Sequence, residues 1–129
     1  MSGRRFIMEI EGFNGSLPFM TDILSYSFPG LGAGQNPVAD KEKGKVDLTS
    51  VFVMRASDKY SFHFLQYSAN GKFLPKISLS ETASVWSATI KRTFLIFTGC
   101  GVDRVIPWEM NGEKTEDIAF HFQDYQLYI

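Results

Sequence analysis

The chain has little cysteine, little histidine and no excess of charge of either sign, and each shortage closes off a class of function. Cys100 is the only cysteine in 129 residues, which excludes an intrachain disulfide and a cysteine-built zinc site and suits a reducing compartment during folding. Thirteen Lys and Arg stand against fourteen Asp and Glu, so there is no basic field for a phosphate backbone and no acidic tail for a basic partner. Nucleic acid is therefore not an expected partner. No apolar run approaches the ~18 residues of a membrane helix, and "MSGRRFIMEIEGF" lacks the apolar core of a conventional export signal. Membrane insertion is not expected either.

What the chain does have is core-forming side chains. Its hydrophobic fraction is 44% and its aromatic fraction 15%, with twelve Phe. A single domain of this length buries roughly two thirds of the surface its unfolded form exposes, so one domain over residues 1–129 needs no staple.

The hydrophobic periodicity is mostly that of strands. "FIMEIE" sets Phe6, Met8 and Ile10 against Ile7, Glu9 and Glu11. "ILSYSF" sets Leu24, Tyr26 and Phe28 against Ile23, Ser25 and Ser27 and halts at Pro29-Gly30. "KVDLTSVFVM" places Val46, Leu48, Phe52 and Met54 on one side. Further on, Trp86, Ala88 and Ile90, then Ile118, Phe120 and Phe122, form inward sets. After Phe122 the apolar positions move to Tyr125, Leu127 and Ile129, a slip of one residue that predicts a β-bulge near Gln123-Asp124. Asn-Gly turn pairs at Asn14, Asn70 and Asn111 punctuate the chain, and Asn14-Gly15-Ser16, although a formal glycosylation sequon, is read as one of these turns.

One helix is predicted, over residues 58–70, with Ser57 or Asp58 as N-cap and Asn70-Gly71 at its end. Lys59, His63, Gln66 and Asn70 form its polar arc, and a broad apolar surface is left to pack on a sheet or close a barrel end. Seven or so strands and one helix give an all-β fold: a small β-barrel of two packed antiparallel sheets with one short α-helix.

Residues 25–48, "SYSFPGLGAGQNPVADKEKGKVDL", contain an excursion over residues 30–45 without strand or helix pattern. Its glycines fail both phosphate-loop patterns: Gln35 stands where G-x-G-x-x-G requires glycine, and Val46 follows Gly44-Lys45 where the Walker sequence requires Ser or Thr. Catalytic chemistry is equally thin. His63 and His121 are read as exposed surface residues, and a Cys100, His121, Asp124 constellation lacks an activating group beside the thiol. No catalytic residue, metal ligand or cofactor site is assigned.

In order, the landmarks resemble the hemolysin-coregulated protein (Hcp) family, which builds the inner tube of bacterial type VI secretion systems. The likeness rests on "FIMEIEGFNGS", "ILSYSFPG", "GKVDLTSVFVMRASDKYS", "YSANGKFLPKISLS", "WSATIKRTFLIFTGC" and "EKTEDIAFHFQDYQLYI", which match the family's opening strand and turn, its Ser-aromatic-Ser strand end, its Gly-Lys strand running into a helix, its helix stop, its long bent strand and its closing strand. Phe28-Pro29 and Pro37 depart from the family pattern.

The resemblance implies a non-enzymatic subunit that forms hexameric rings, stacks them into a hollow tube, and partners with itself, with effector proteins carried in the lumen, and with sheath and spike components. It implies a virulence-related protein present in the bacterial cytoplasm before assembly and then secreted without a signal peptide. The chain stops at its last strand, so no fused toxin domain is expected. The excursion becomes a ring-stacking arm, with Gly30, Leu31, Gly32, Gly34, Gln35, Asn36, Pro37, Asp40, Lys41, Glu42, Lys43 and Lys45 as its interface residues. Three other readings stand beside this one: a monomeric β-barrel holding an apolar ligand, a small hydrolase using His63 or His121, and a tail-tube subunit of another contractile injection particle.

Overall fold

A computed structural model describes residues 4–15, 17–28 and 50–128. They form eight strands and one helix: β1 (Arg4–Glu11), β2 (Phe19–Ile23), β3 (Ser25–Ser27), β4 (Ser50–Ala56), α1 (Ser61–Asn70), β5 (Leu74–Val85), β6 (Ala88–Met110), β7 (Glu113–His121) and β8 (Asp124–Leu127). All pairings are antiparallel, in the order β2-β1-β5-β6-β7-β4-β3, with β8 on β6. The all-β class is as expected, but among the described residues the sheet is not closed into a barrel, because the end strands β2 and β3 do not pair with each other.

The long strand β6 joins the two halves of the sheet. Up to Cys100 it pairs with β5, and from Gly101 it pairs with β7. Gly99, at φ 66, holds the left-handed backbone at this changeover, which a residue with a Cβ adopts only at a cost. The halves enclose one core, Met8, Ile10, Ile77, Leu79, Leu95 and Phe97 from one and Val51, Val53, Val102, Ile118 and Phe120 from the other. Phe13 packs between Phe19 and Phe64 at ring-centroid distances of 4.2 and 4.7 Å, and the Tyr67 hydroxyl donates to the Phe13 carbonyl, so α1 closes the core beside the β1–β2 turn.

Several expectations need correction. The helix starts at Ser61, not at residue 58, and no side chain caps it at Tyr60. The Asp58 carboxylate instead accepts from the Tyr60 N–H at 2.9 Å, while the Asp58 N–H donates to Ser61 Oγ at 3.0 Å, which winds residues 58–60 into a turn. "ILSYSF" is two strands, because the chain bends at Leu24; Ile23 is buried and Leu24 is exposed. In β4 the inward face is Val51, Val53 and Arg55, with Phe52 and Met54 half-buried; Val46 and Leu48 lie outside the described residues. The slip after Phe122 is a break between strands, where the chain leaves β7 and joins β6 as β8. Finally, Trp86, Ala88 and Ile90 are exposed, since they lie on a hairpin that runs past the opposing half of the sheet.

Candidate functional site

The twelve expected ring-stacking residues, Gly30, Leu31, Gly32, Gly34, Gln35, Asn36, Pro37, Asp40, Lys41, Glu42, Lys43 and Lys45, all lie outside the described residues.

Among the described residues, Cys100, His121 and His63 lie in separate surroundings. Cys100 is buried, and burial pushes its thiol up to about 12, against which a backbone hydrogen bond at Ile77 acts in the lowering direction. His121 pairs with Asp103 at 2.5 Å, not with Asp124 or the thiol. Its ring lies over Gly101, where a Cβ would come within 2.5 Å of the imidazole. His63 is half-buried and not the surface residue expected: its ring packs on Phe13 at 5.8 Å and on Tyr60 and Tyr67. Among the described residues no three His, Cys, Asp or Glu side chains come together as metal ligands.

The most concentrated polar feature is structural, and sequence reasoning missed it. Arg55, fully buried on β4, donates from Nη1 to Glu116 on β7, from Nη2 to Asp58 at 2.6 Å, and from Nε to Thr21 Oγ1 on β2 at 3.1 Å. The guanidinium carbon stands 5.2 Å from the Phe64 ring centroid. Partial burial raises the Asp58 carboxyl, but the Arg55 and Tyr60 hydrogen bonds and the charges of Arg55 and Lys59 outweigh it and hold the group below its ordinary value. The signal was present in the sequence: Arg55 continues the inward phase of Val51 and Val53, as Glu116 does that of Ile118 and Phe120.

Large apolar side chains also remain uncovered. Phe62 and Leu65 on α1, Phe73 before β5, Trp86 between β5 and β6, and Trp108 on β6 are all exposed. A shallow cleft of about 290 Å³ lies where the β5–β6 hairpin leaves the core, with Phe6, Tyr26, Phe94 and Leu127 as its walls and the Arg92–Glu81 pair, 3.5 Å apart, on its rim.

No family model matches the sequence, and no curated protein matches it. Solved structures do match. Hcp1 from Salmonella typhimurium is 18% identical, with a TM-score of 0.66 over 95% of this chain and 82% of that one. Secreted protein Hcp3 from Pseudomonas aeruginosa is 10% identical, with a TM-score of 0.66 over 98% of this chain and 99% of that one. A chain of the anti-feeding prophage baseplate, 12% identical, matches with a TM-score of 0.57 over 96% of this chain and 92% of that one. The fold of this chain is therefore that of the Hcp proteins.

Proposed function

We propose that the chain is a tube subunit of a bacterial type VI secretion system, structural and not enzymatic, that closes into hexameric rings and stacks into a hollow tube. The observation that carries this reading is the shared fold over nearly the full length of both chains, at 98% and 99% coverage for the Pseudomonas protein. The uncovered aromatic side chains support it, since a subunit held by neighbours on two different faces buries such groups in a heterologous interface. In this reading the protein is made in the cytoplasm, leaves the cell through the machine it helps to build, and carries effectors in the lumen. Residues 30–45 serve as the ring-stacking arm.

The test is native mass spectrometry with negative-stain microscopy of the purified protein. Six-membered rings with an open pore are expected, and a strict monomer at high concentration overturns the proposal. Replacing residues 30–45 by a tight turn is expected to spare the ring and weaken stacking, whereas loss of the fold would place that segment in the core. The likeness to the prophage baseplate favours a second reading, a subunit of a related contractile particle. The neighbouring genes separate the two.

A further inference from the structure

The β5–β6 hairpin continues the sheet beyond the layer that covers it. The last pairing of β1 with β5 is Arg4 with Ala83, so among the described residues the hairpin from Ser84 to Thr89 is a two-stranded ribbon. Such ribbons are marginal in water on their own. The pairs Ala83–Ile90 and Val85–Ala88 keep the phase of Leu79, the core-facing side, while Thr82, Ser84 and Thr89 line the other face. On that side the Glu81–Arg92 pair interrupts the apolar stripe of the core, and beyond it, among the described residues, Ala83, Ile90, Val85 and Ala88 form a second apolar stretch along the ribbon without a cover. From residue 83 to residue 90 there is no charged side chain, although exposed hairpins ordinarily carry charge to prevent association.

The turn adds an independent observation. The β6–β7 hairpin turns on Asn111-Gly112, at φ 52 and 80, with the residue types that tolerate left-handed backbone. The β5–β6 hairpin turns on Trp86 at φ 62, a bulky residue where glycine or asparagine is ordinarily found, and Trp86 is 99% exposed. The chain keeps a strained, fully exposed indole at the tip of an uncharged arm. Strain of this kind is retained where function requires it.

We infer that this ribbon is a docking arm whose Trp86 seats in the Phe6–Tyr26–Phe94 cleft of a second copy of the chain, a contact that rests on the tube-subunit reading and specifies one of its interfaces. The cleft's three rings stand 5.3 to 6.1 Å apart. Its volume of about 290 Å³ falls just below the roughly 300–1,000 Å³ of small-molecule sites and suits one aromatic side chain. Arm and cleft match in charge: the arm has none, and among the described residues the only charges lining the cleft are the Arg92–Glu81 pair, so docking against them strands no ion. Arg92 stands at the rim, where it can lie over an entering indole. A chain's own Trp86 cannot fill its own cleft, because the Ala83–Ile90 and Val85–Ala88 pairs hold the tip away from the Glu81–Arg92 rim. The contact is head-to-tail, and its repetition closes a ring or extends a stack.

The experiment uses the full chain carrying Trp108→Phe, so that fluorescence reports Trp86 alone, with association followed by sedimentation and ring geometry by microscopy. Expected are a blue shift of Trp86 emission as the protein assembles and, by sedimentation alone, association at least tenfold weaker in Trp86→Glu and in Leu127→Trp, which fills the cleft. Trp86→Asn suits the left-handed turn; it is expected to melt no lower than the parent as a monomer and yet to associate more weakly, a pair of signs that a purely structural tryptophan would not give. Six-membered rings with Trp86 emission unshifted and Trp86→Glu without effect overturn the arm and leave the tube reading intact. Trp86-dependent assembly into anything but six-membered rings overturns the ring reading and supports the arm. A strict monomer overturns both.

Discussion

Arg55 on β4 lies directly opposite Glu116 on β7 and donates to its carboxylate, with both side chains almost wholly removed from water. The pair binds one half of the sheet together at its inner face, and the further bonds to Asp58 and Thr21 tie in the turn before α1 and the edge strand β2. Removing one partner leaves the other charge buried and unpaired, which costs about 3–5 kcal/mol. Arg55→Ala is thus expected to lower the urea midpoint sharply, and the double change Arg55→Met, Glu116→Leu to recover most of the loss. A double variant no more stable than Arg55→Ala would show that lost packing, not the stranded charge, dominates.

This pair also shows what the sequence made legible. Where both faces of a strand differ clearly in polarity, as in "FIMEIE", alternation identified the buried side correctly, with Met8 and Ile10 in the core. In β4 the buried side ends in an arginine, and counting apolar residues favoured Phe52 and Met54 over Val51 and Val53. On the β5–β6 ribbon the phase of Ala88 and Ile90 was right but their burial was not, because periodicity reports which way a side chain points and not whether another layer stands opposite. The Cys100, His121, Asp124 grouping, already set aside on sequence grounds, does not form: beside the register shift between Val102 and Arg104 it is Asp103, not Asp124, that meets the His121 ring. The expected stacking residues fall outside the described residues.

Gly101 and His121 are coupled through space. A Cβ at residue 101 would meet the imidazole at 2.5 Å, and the ring is anchored by Asp103, so it cannot yield without losing that bond. Gly101→Ala is expected to destabilise the chain by about 1–3 kcal/mol, and to cost clearly less in a His121→Ala background. Thermal melts of the four members of the cycle measure the coupling, and equal costs in both backgrounds would refute it.

Thr115 Oγ1 is buried and, among the described residues, accepts and donates nothing. A buried hydroxyl without a partner opposes folding by about 1–3 kcal/mol. Thr115→Val keeps the shape and removes the polar atom, so it is expected to be neutral or stabilising in denaturant melts. A clear loss of stability would mean that the hydroxyl has a partner.

The Cys100 thiol, pushed up to about 12 by burial, carries almost no thiolate near neutral pH. Native protein is expected to resist a thiol-specific reagent at pH 8 and to react at once in denaturant. Rapid labelling of the folded chain would show that β6 opens around its changeover between the sheet halves.

Asp58 links stability to acid. Its carboxyl is held below the ordinary 3.8 in the folded chain, so the unfolded chain takes up a proton first as the pH falls. The contribution is complete above the unfolded value, shrinks as the pH drops through the folded one, and vanishes below both. Asp58→Asn is accordingly expected to be less stable than the parent at pH 7, with the difference narrowing below about pH 4. Glu116 shares the same arginine, so the comparison is best made as the gap between the two unfolding curves at each pH, in which titrations common to both proteins cancel. A gap that stays constant down to pH 2 would mean that the aspartate acts through its turn geometry, its hydrogen bonds to the Tyr60 and Ser61 segment, and not through its charge beside Arg55.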